Sequence, residues 1–165
     1  MRGAGNGRRQ EKISQQKAII MIKRQFMQPK DMWARVENGN LLYVPVVTVH
    51  GADHAHVYLA GQMAREPTGE IVGIGDMRAQ MRKTCENIGK GLAYAGATFD
   101  DVVRATTYVT DIEEYYKCSD ERFKFFRNNR PASVLIQVSR LGHRDAIIEI
   151  EVEAIIEPER LRTHK

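Results

Sequence analysis

Only two cysteines, Cys85 and Cys118, occur in the 165 residues. Both fall in helix-like segments without metal-ligand spacing, so reduced, semi-buried thiols are expected rather than a disulfide framework or a zinc centre. No apolar run approaches the roughly 20 residues needed to cross a bilayer. The best N-terminal candidate, Ala18-Ile-Ile-Met-Ile22, is too short for a secretory leader, and a soluble, cytoplasmic protein is the expectation. An organelle transit peptide, which shares the Arg-rich, acid-poor start, is the less favoured alternative. The chain also lacks a Gly-rich phosphate loop, a defensible Ser-His-Asp order and an internal repeat, so neither a nucleotide cradle nor a serine-hydrolase triad organises it.

Acid is scarce at one end. Residues 1–30 hold eight Lys or Arg against one Glu, a balance of +7, so the other 135 residues carry −3 of the net +4. A nucleic-acid binder concentrates Lys and Arg on the folded surface that meets phosphate. Here the excess sits in a tail above a mildly acidic body, and nucleic acid is not expected as a partner.

With 42% hydrophobic residues, the chain is long enough for one buried core and short for two. Residues 1–36 read as a basic arm, partly disordered or helical, with Ile13, Ile19, Ile20, Ile22, Phe26 and Met27 in mixed period. Residues 37–158 form the body and 159–165 a polar tail. In the body, Leu41 to Val44 and Val46 to Val49 bracket Pro45, which marks an edge strand or bulge. Val57 to Ala60 is the next strand, and Pro67-Thr-Gly-Glu70 a turn.

A helix then starts at an Asp76 N-cap. Met81, Cys85, Ile88, Leu92 and Ala95 share one face, and Gly96 stops it. Val102 to Val109 is extended. Asp111 and Glu114 have capping-box spacing and open a second helix with Ile112, Tyr116, Phe123 and Phe126 on one side.

Two period-two runs close the body. In the last one Ile148, Ile150, Val152, Ala154 and Ile156 alternate with Glu149, Glu151 and Glu153. In Ser133 to Ser139, Val134, Ile136 and Val138 are expected inward, opposite Ser133, Leu135 and Gln137. The short connection Arg140 to Asp145 suggests an antiparallel hairpin between the two. Two helices cannot cover both faces of such a sheet, so both are expected on one face of an α+β domain. The other face, carrying Leu135 and Ile155, suits packing against further copies of the chain.

Several of these stretches, in this order, resemble the RidA (YjgF) family of reactive-intermediate deaminases over roughly residues 40–157. They are Tyr58-Leu-Ala-Gly-Gln62 with Thr68-Gly-Glu70, Asn87-Ile88, Ala95-Gly-Ala97, Asp101-Val-Val103 and Thr107-Tyr-Val-Thr-Asp111. Pro131-Ala132, Val138, Arg140-Leu141 and Glu149-Ile-Glu151 complete the pattern. The resemblance implies a chorismate-mutase-like α+β fold, a mixed sheet with two helices on one face, a homotrimer with inward-facing sheets, clefts between subunits, and no metal or organic cofactor. It also implies hydrolysis of a small-molecule enamine or imine to a 2-oxo acid and ammonia.

Carried over by position, Gly61 matches a glycine whose N–H assists substrate binding, and Glu149 a glutamate that holds water, with Glu151 on the same face if the register shifts. The family's carboxylate-binding Arg is here Ser133. Val46 stands where a Tyr is usual and Leu135 where a Cys is usual, which makes the expected site less cationic and more apolar. Arg144, Arg130 and Arg140 are candidate replacement clamps, each also readable as a solvated surface Arg, and Ser133 itself suits a neutral polar ligand. The substrate is then 2-aminoacrylate-like or a pathway intermediate of the aminomuconate type. A non-enzymatic metabolite-binding or chaperone-like homologue is the alternative, and an endoribonuclease a further one. His50, His54 and His56 form the one metal-like cluster, equally explained as a polar turn.

Overall fold

The computed structural model describes residues 21–164. Among these residues eight strands are present: β1 (Lys23–Met27), β2 (Val36–Glu37), β3 (Asn40–Leu41), β4 (Val46–His50), β5 (Ala55–Gln62), β6 (Val102–Val109), β7 (Ala132–Gln137) and β8 (Ile148–Ile156). Among the described residues three α-helices accompany them: α1 (Met77–Ala95), α2 (Ile112–Lys117) and α3 (Ser119–Phe126). Six strands make one mixed sheet in the order β1-β4-β5-β8-β6-β7, and β2 pairs with β3 in a separate hairpin. Only the β6–β7 pair is parallel.

The α1 signals act as read. Asp76 Oδ1 accepts the Ala79 N–H at 3.0 Å. Gly96 takes φ +95°, where a side chain would also run into the Arg160 carbonyl. Met81, Cys85, Ile88 and Leu92 are fully buried against Leu59 and alternate residues of β8. Each such Ile or Leu contributes roughly 1.5–3 kcal/mol by leaving water. The helices therefore lie on one face of the sheet and Glu149, Glu151, Glu153 and Ile155 on the other.

The expected hairpin between the last two strands does not form. β8 lies at the centre between β5 and β6, while β7 sits beyond β6 at the edge. The most apolar run takes the most buried place, and residues 138–147 cross the end of β6 to reach it. The side-chain alternation of β7 is inverted relative to expectation as well. Ser133, Leu135 and Gln137 pair with Ala105, Thr107 and Val109, which puts them on the helix side. Leu135 packs on the core, and Gln137 Oε1 accepts the Ile112 N–H at 2.9 Å. Val134 and Ile136 are left exposed on the open face.

Three smaller corrections concern element limits. Residues 23–27 of the arm are not helical but an edge strand on β4, while residues 13–20 lie outside the described range. Of the expected Leu41 to Val44 strand only Leu41 lies in one, the two-residue β3, which an Asn38-Gly39 turn with φ positive at both residues pairs with β2. The second helix breaks at Cys118, so Tyr115 and Phe126 are buried while Tyr116 and Phe123 face out. Both cysteines are buried and free. Among the described residues no helix is long and apolar enough to cross a membrane.

Candidate functional site

A bulge near the end of β5 builds the site. Leu59 pairs with Val152 and Gln62 with Ile150, so Ala60 and Gly61 together oppose the single residue Glu151. On the other edge of β5 the Ala60 N–H donates to the Pro45 carbonyl at 3.0 Å, continuing the β4–β5 register past the bulge. Gly61 is thereby brought against Glu149, so closely that a Cβ at 61 would overlap the carboxylate.

Two buried amides on α1, seven residues apart, hold the loops that flank this point. Asn87 Nδ2 donates to the carbonyls of Met63 at 3.0 Å and Arg65 at 2.8 Å. Gln80 Nε2 donates to the Asp145 carbonyl at 2.7 Å, and its Oε1 accepts the Ile147 N–H at 3.0 Å. The segment after β5 and the crossover into β8 are thus tied to one rigid helix. Lys83 adds an ion pair to Glu66 at 2.7 Å.

Between these loops lies a cleft of about 320 Å³, whose walls include Trp33, Arg35, Tyr43, Gly61, Arg65 and Glu149. That volume suits a small metabolite. The Arg65 guanidinium lies 3.9 Å from the centroid of the Trp33 ring, a cation–π contact, and its Nη1 donates to the Gly69 carbonyl at 2.9 Å. Trp33 in turn meets Tyr43 edge to face at 6.5 Å. Among the described residues Arg65 has no carboxylate within ion-pair distance, and its Nε is buried without an acceptor. Such a desolvated donor costs about 1–3 kcal/mol.

Among the described residues Glu149 is the one carboxylate lining this cleft. Burial pushes its carboxyl above the ordinary range, Glu151 pushes it further, and Arg65 opposes both. Burial also raises the Tyr43 hydroxyl. A carboxyl that holds its proton more tightly than usual, beside fixed cations, can give and take a proton while an anion is held nearby.

The residues singled out from sequence separate into two groups. Gly61 and Glu149 meet in the cleft. Glu151 lies instead in a second depression of the open face with Tyr58, Arg104 and Glu153, near the Tyr108 hydroxyl at 3.4 Å. Val46 is fully buried on the core side and does not reach the cleft. Ser133 and Leu135 lie on the opposite side of the sheet from Glu149 in the same chain. Arg144 is 85% exposed and pairs with Asp145 at 3.5 Å. Arg130 donates to backbone carbonyls of its own turn.

Arg65, Arg35, Trp33 and Tyr43 were not singled out for the site. The available signal was the chain's only Trp two residues before an Arg, with a second Arg between the strand end and a Pro-Thr-Gly turn. His54 and His56 meet edge to face at 5.0 Å, and His56 stacks on Tyr58 at 5.8 Å. No group of three metal-binding side chains occurs among the described residues.

An α+β sheet with helices on one face, and a glycine bulge set against a carboxylate of the central strand, defines the class. The sequence pattern described as Endoribonuclease L-PSP matches residues 41–156, and the chain belongs to this family, the RidA/YjgF proteins. A RutC family protein of Pyrococcus abyssi is 39% identical over 99 residues, covering 59% of this chain and 76% of that one. A human protein named 2-iminobutanoate/2-iminopropanoate deaminase is 29% identical, over 62% of this chain and 74% of its own. Among solved structures, the Rid-family protein YyfA of Yersinia pestis, of unknown function, superposes with a TM-score of 0.70 at 27% identity. It covers 81% of this chain and 100% of that one. Imine deaminases are thus relatives at the level of the family.

Proposed function

We propose that this chain hydrolyses the C=N bond of a small imine, or of its enamine tautomer, releasing ammonia and a 2-oxo acid at clefts where subunits of a homotrimer meet. The observation that carries this reading is the desolvated Glu149 carboxyl held against Gly61 in a cleft with two cations. In the proposed reaction water attacks the carbon of the protonated imine, the π pair moves to nitrogen, and Glu149 accepts the proton that water releases. Returning this proton to nitrogen makes ammonia the leaving group. The C–N bond breaks as the hydroxyl passes its proton to the ionised Glu149 carboxylate, C=O forms and ammonia leaves, carrying that proton off as ammonium. The site has mainly to fix the substrate and orient one water.

The open face supports self-association. Phe26, Tyr58, Val134, Ile136 and Ile155 are each more than a third exposed there. Ser133 and Leu135, on the edge strand β7, would then serve a neighbour's cleft rather than their own. Light scattering on the eluted protein should give the mass of three chains; a monodisperse monomer would end this part of the reading.

Activity is tested by generating 2-iminobutanoate in situ and following ammonia and 2-oxobutanoate. Acceleration that Glu149→Gln abolishes supports the proposal, and acceleration that survives it removes Glu149 from the chemistry. Ser133, in place of the family Arg, favours a second reading, a metabolite-binding homologue without turnover. Silence across an imine panel together with a ligand-induced thermal shift would select it.

A further inference from the structure

We propose that Arg65 is the anion-binding residue of this cleft, supplying from the loop after β5 the carboxylate contact that Ser133 cannot make. The inference rests on the cleft being the deaminase site, and it makes the ligand a small carboxylate rather than a neutral molecule.

Three features of Arg65 fit the role. Its guanidinium is fixed before any ligand arrives, by the Trp33 face on one side and the Gly69 carbonyl at Nη1. Its backbone is fixed too, through the Asn87 hydrogen bond to its carbonyl. Its Nη2 has no acceptor among the described residues and, unlike Nε, is not buried, so these N–H groups are open to the cleft. With Nη1 engaged and Nε enclosed, Nη2 supplies the charge-assisted donor to a carboxylate, its direction set before binding.

The other arginines fit less well. Arg144 points into solvent and is already paired with Asp145, and Arg130 caps its own turn. Arg35 lines the same cleft, but its end is paired with Glu37. Glu149 lines the same cleft and feels the Arg65 charge, with no ion pair between the two among the described residues.

The probes are 2-oxobutanoate, the stable product of the proposed reaction, and neutral 2-oxobutanamide, each titrated calorimetrically into the full-length protein and its Arg65→Gln, Arg65→Lys and Arg144→Gln variants. The expected result is a loss of at least tenfold in 2-oxobutanoate affinity in Arg65→Gln, partial recovery in Arg65→Lys, and parent-like binding in Arg144→Gln. The amide should be insensitive to all three. Matching melting curves of the parent and Arg65→Lys check that the turn around Gly69 is intact. Parent-like oxo-acid binding in Arg65→Gln overturns the assignment, as does loss in Arg144→Gln. The deaminase reading fails separately: imine turnover unaffected by Glu149→Gln sinks that reading while leaving Arg65 as an anion site. Turnover that needs Glu149 but keeps its KM in Arg65→Gln does the reverse.

Discussion

The side-chain amide of Asn87, on the buried face of α1, donates to the backbone carbonyl of Arg65 at 2.8 Å. A helix that builds the core therefore also sets where the loop cation stands. Asn87 is 7% exposed, so removing its amide leaves two enclosed carbonyls short of a donor. Asn87→Ala should destabilise the fold by about 1–3 kcal/mol, read as a lower urea midpoint at unchanged slope. At temperatures where the variant is folded, its KM should rise more than its kcat falls, because the loop is loosened while Glu149 stays in place. An equal drop in kcat with constant KM would contradict this division.

Gly61→Ala separates fold from chemistry at the other wall. The three atoms nearest to an added methyl all belong to the Glu149 side chain, which can swing away, and the backbone at 61 needs no positive φ. Melting temperature should change little. Turnover should fall at least tenfold if Glu149 orients the attacking water as proposed, because its carboxylate is displaced. A variant that keeps full activity would show that the close approach of Gly61 and Glu149 has no catalytic meaning.

The limits of α1 and the two faces of β8 were legible because caps and periodicity are local: Asp76, Gly96 and the alternation from Ile148 to Ile156 each act within a few residues. Partner choice was not. Period two shows that Ser133 to Gln137 is extended but not that it joins β6 in parallel, and that register decides which face Leu135 takes. Gly61 and Glu149 were found through family resemblance, whereas Arg65 and Trp33 come together only through the loops that Asn87 and Gln80 fasten.

Glu121 gives a test of what holds α3 to α1. Its side chain is 2% exposed and meets Arg82 at 2.7 Å, Lys124 at 2.6 Å and Arg78 at 3.5 Å. Hydrogen bonds from Arg82 and Lys124 hold its carboxyl down at about 2, against an ordinary 4.5. A lowered native value means that its contribution is complete above the ordinary range and is lost as pH falls toward 2. Glu121→Gln should therefore melt several degrees below the parent at pH 7, with the gap closing between pH 4.5 and 2. A gap independent of pH would mean that packing, not charge, is what Glu121 supplies.

Glu149 carries the opposite sign. Burial first and Glu151 second raise its carboxyl, so the native state holds the proton more tightly than the unfolded chain. Stability from that proton is present below the ordinary 4.5 and is lost as pH rises through the native value. Glu149→Gln should consequently melt above the parent at pH 8 and level with it at pH 4. In the parent, kcat/KM should rise with pH along an acid limb placed above the ordinary carboxylate range, since the ionised form takes the water proton. Glu151→Gln removes one raising charge and should move that limb to lower pH. Arg65→Gln removes the opposing cation and should move it to higher pH. Limbs that shift together, or not at all, would assign the titration to another group.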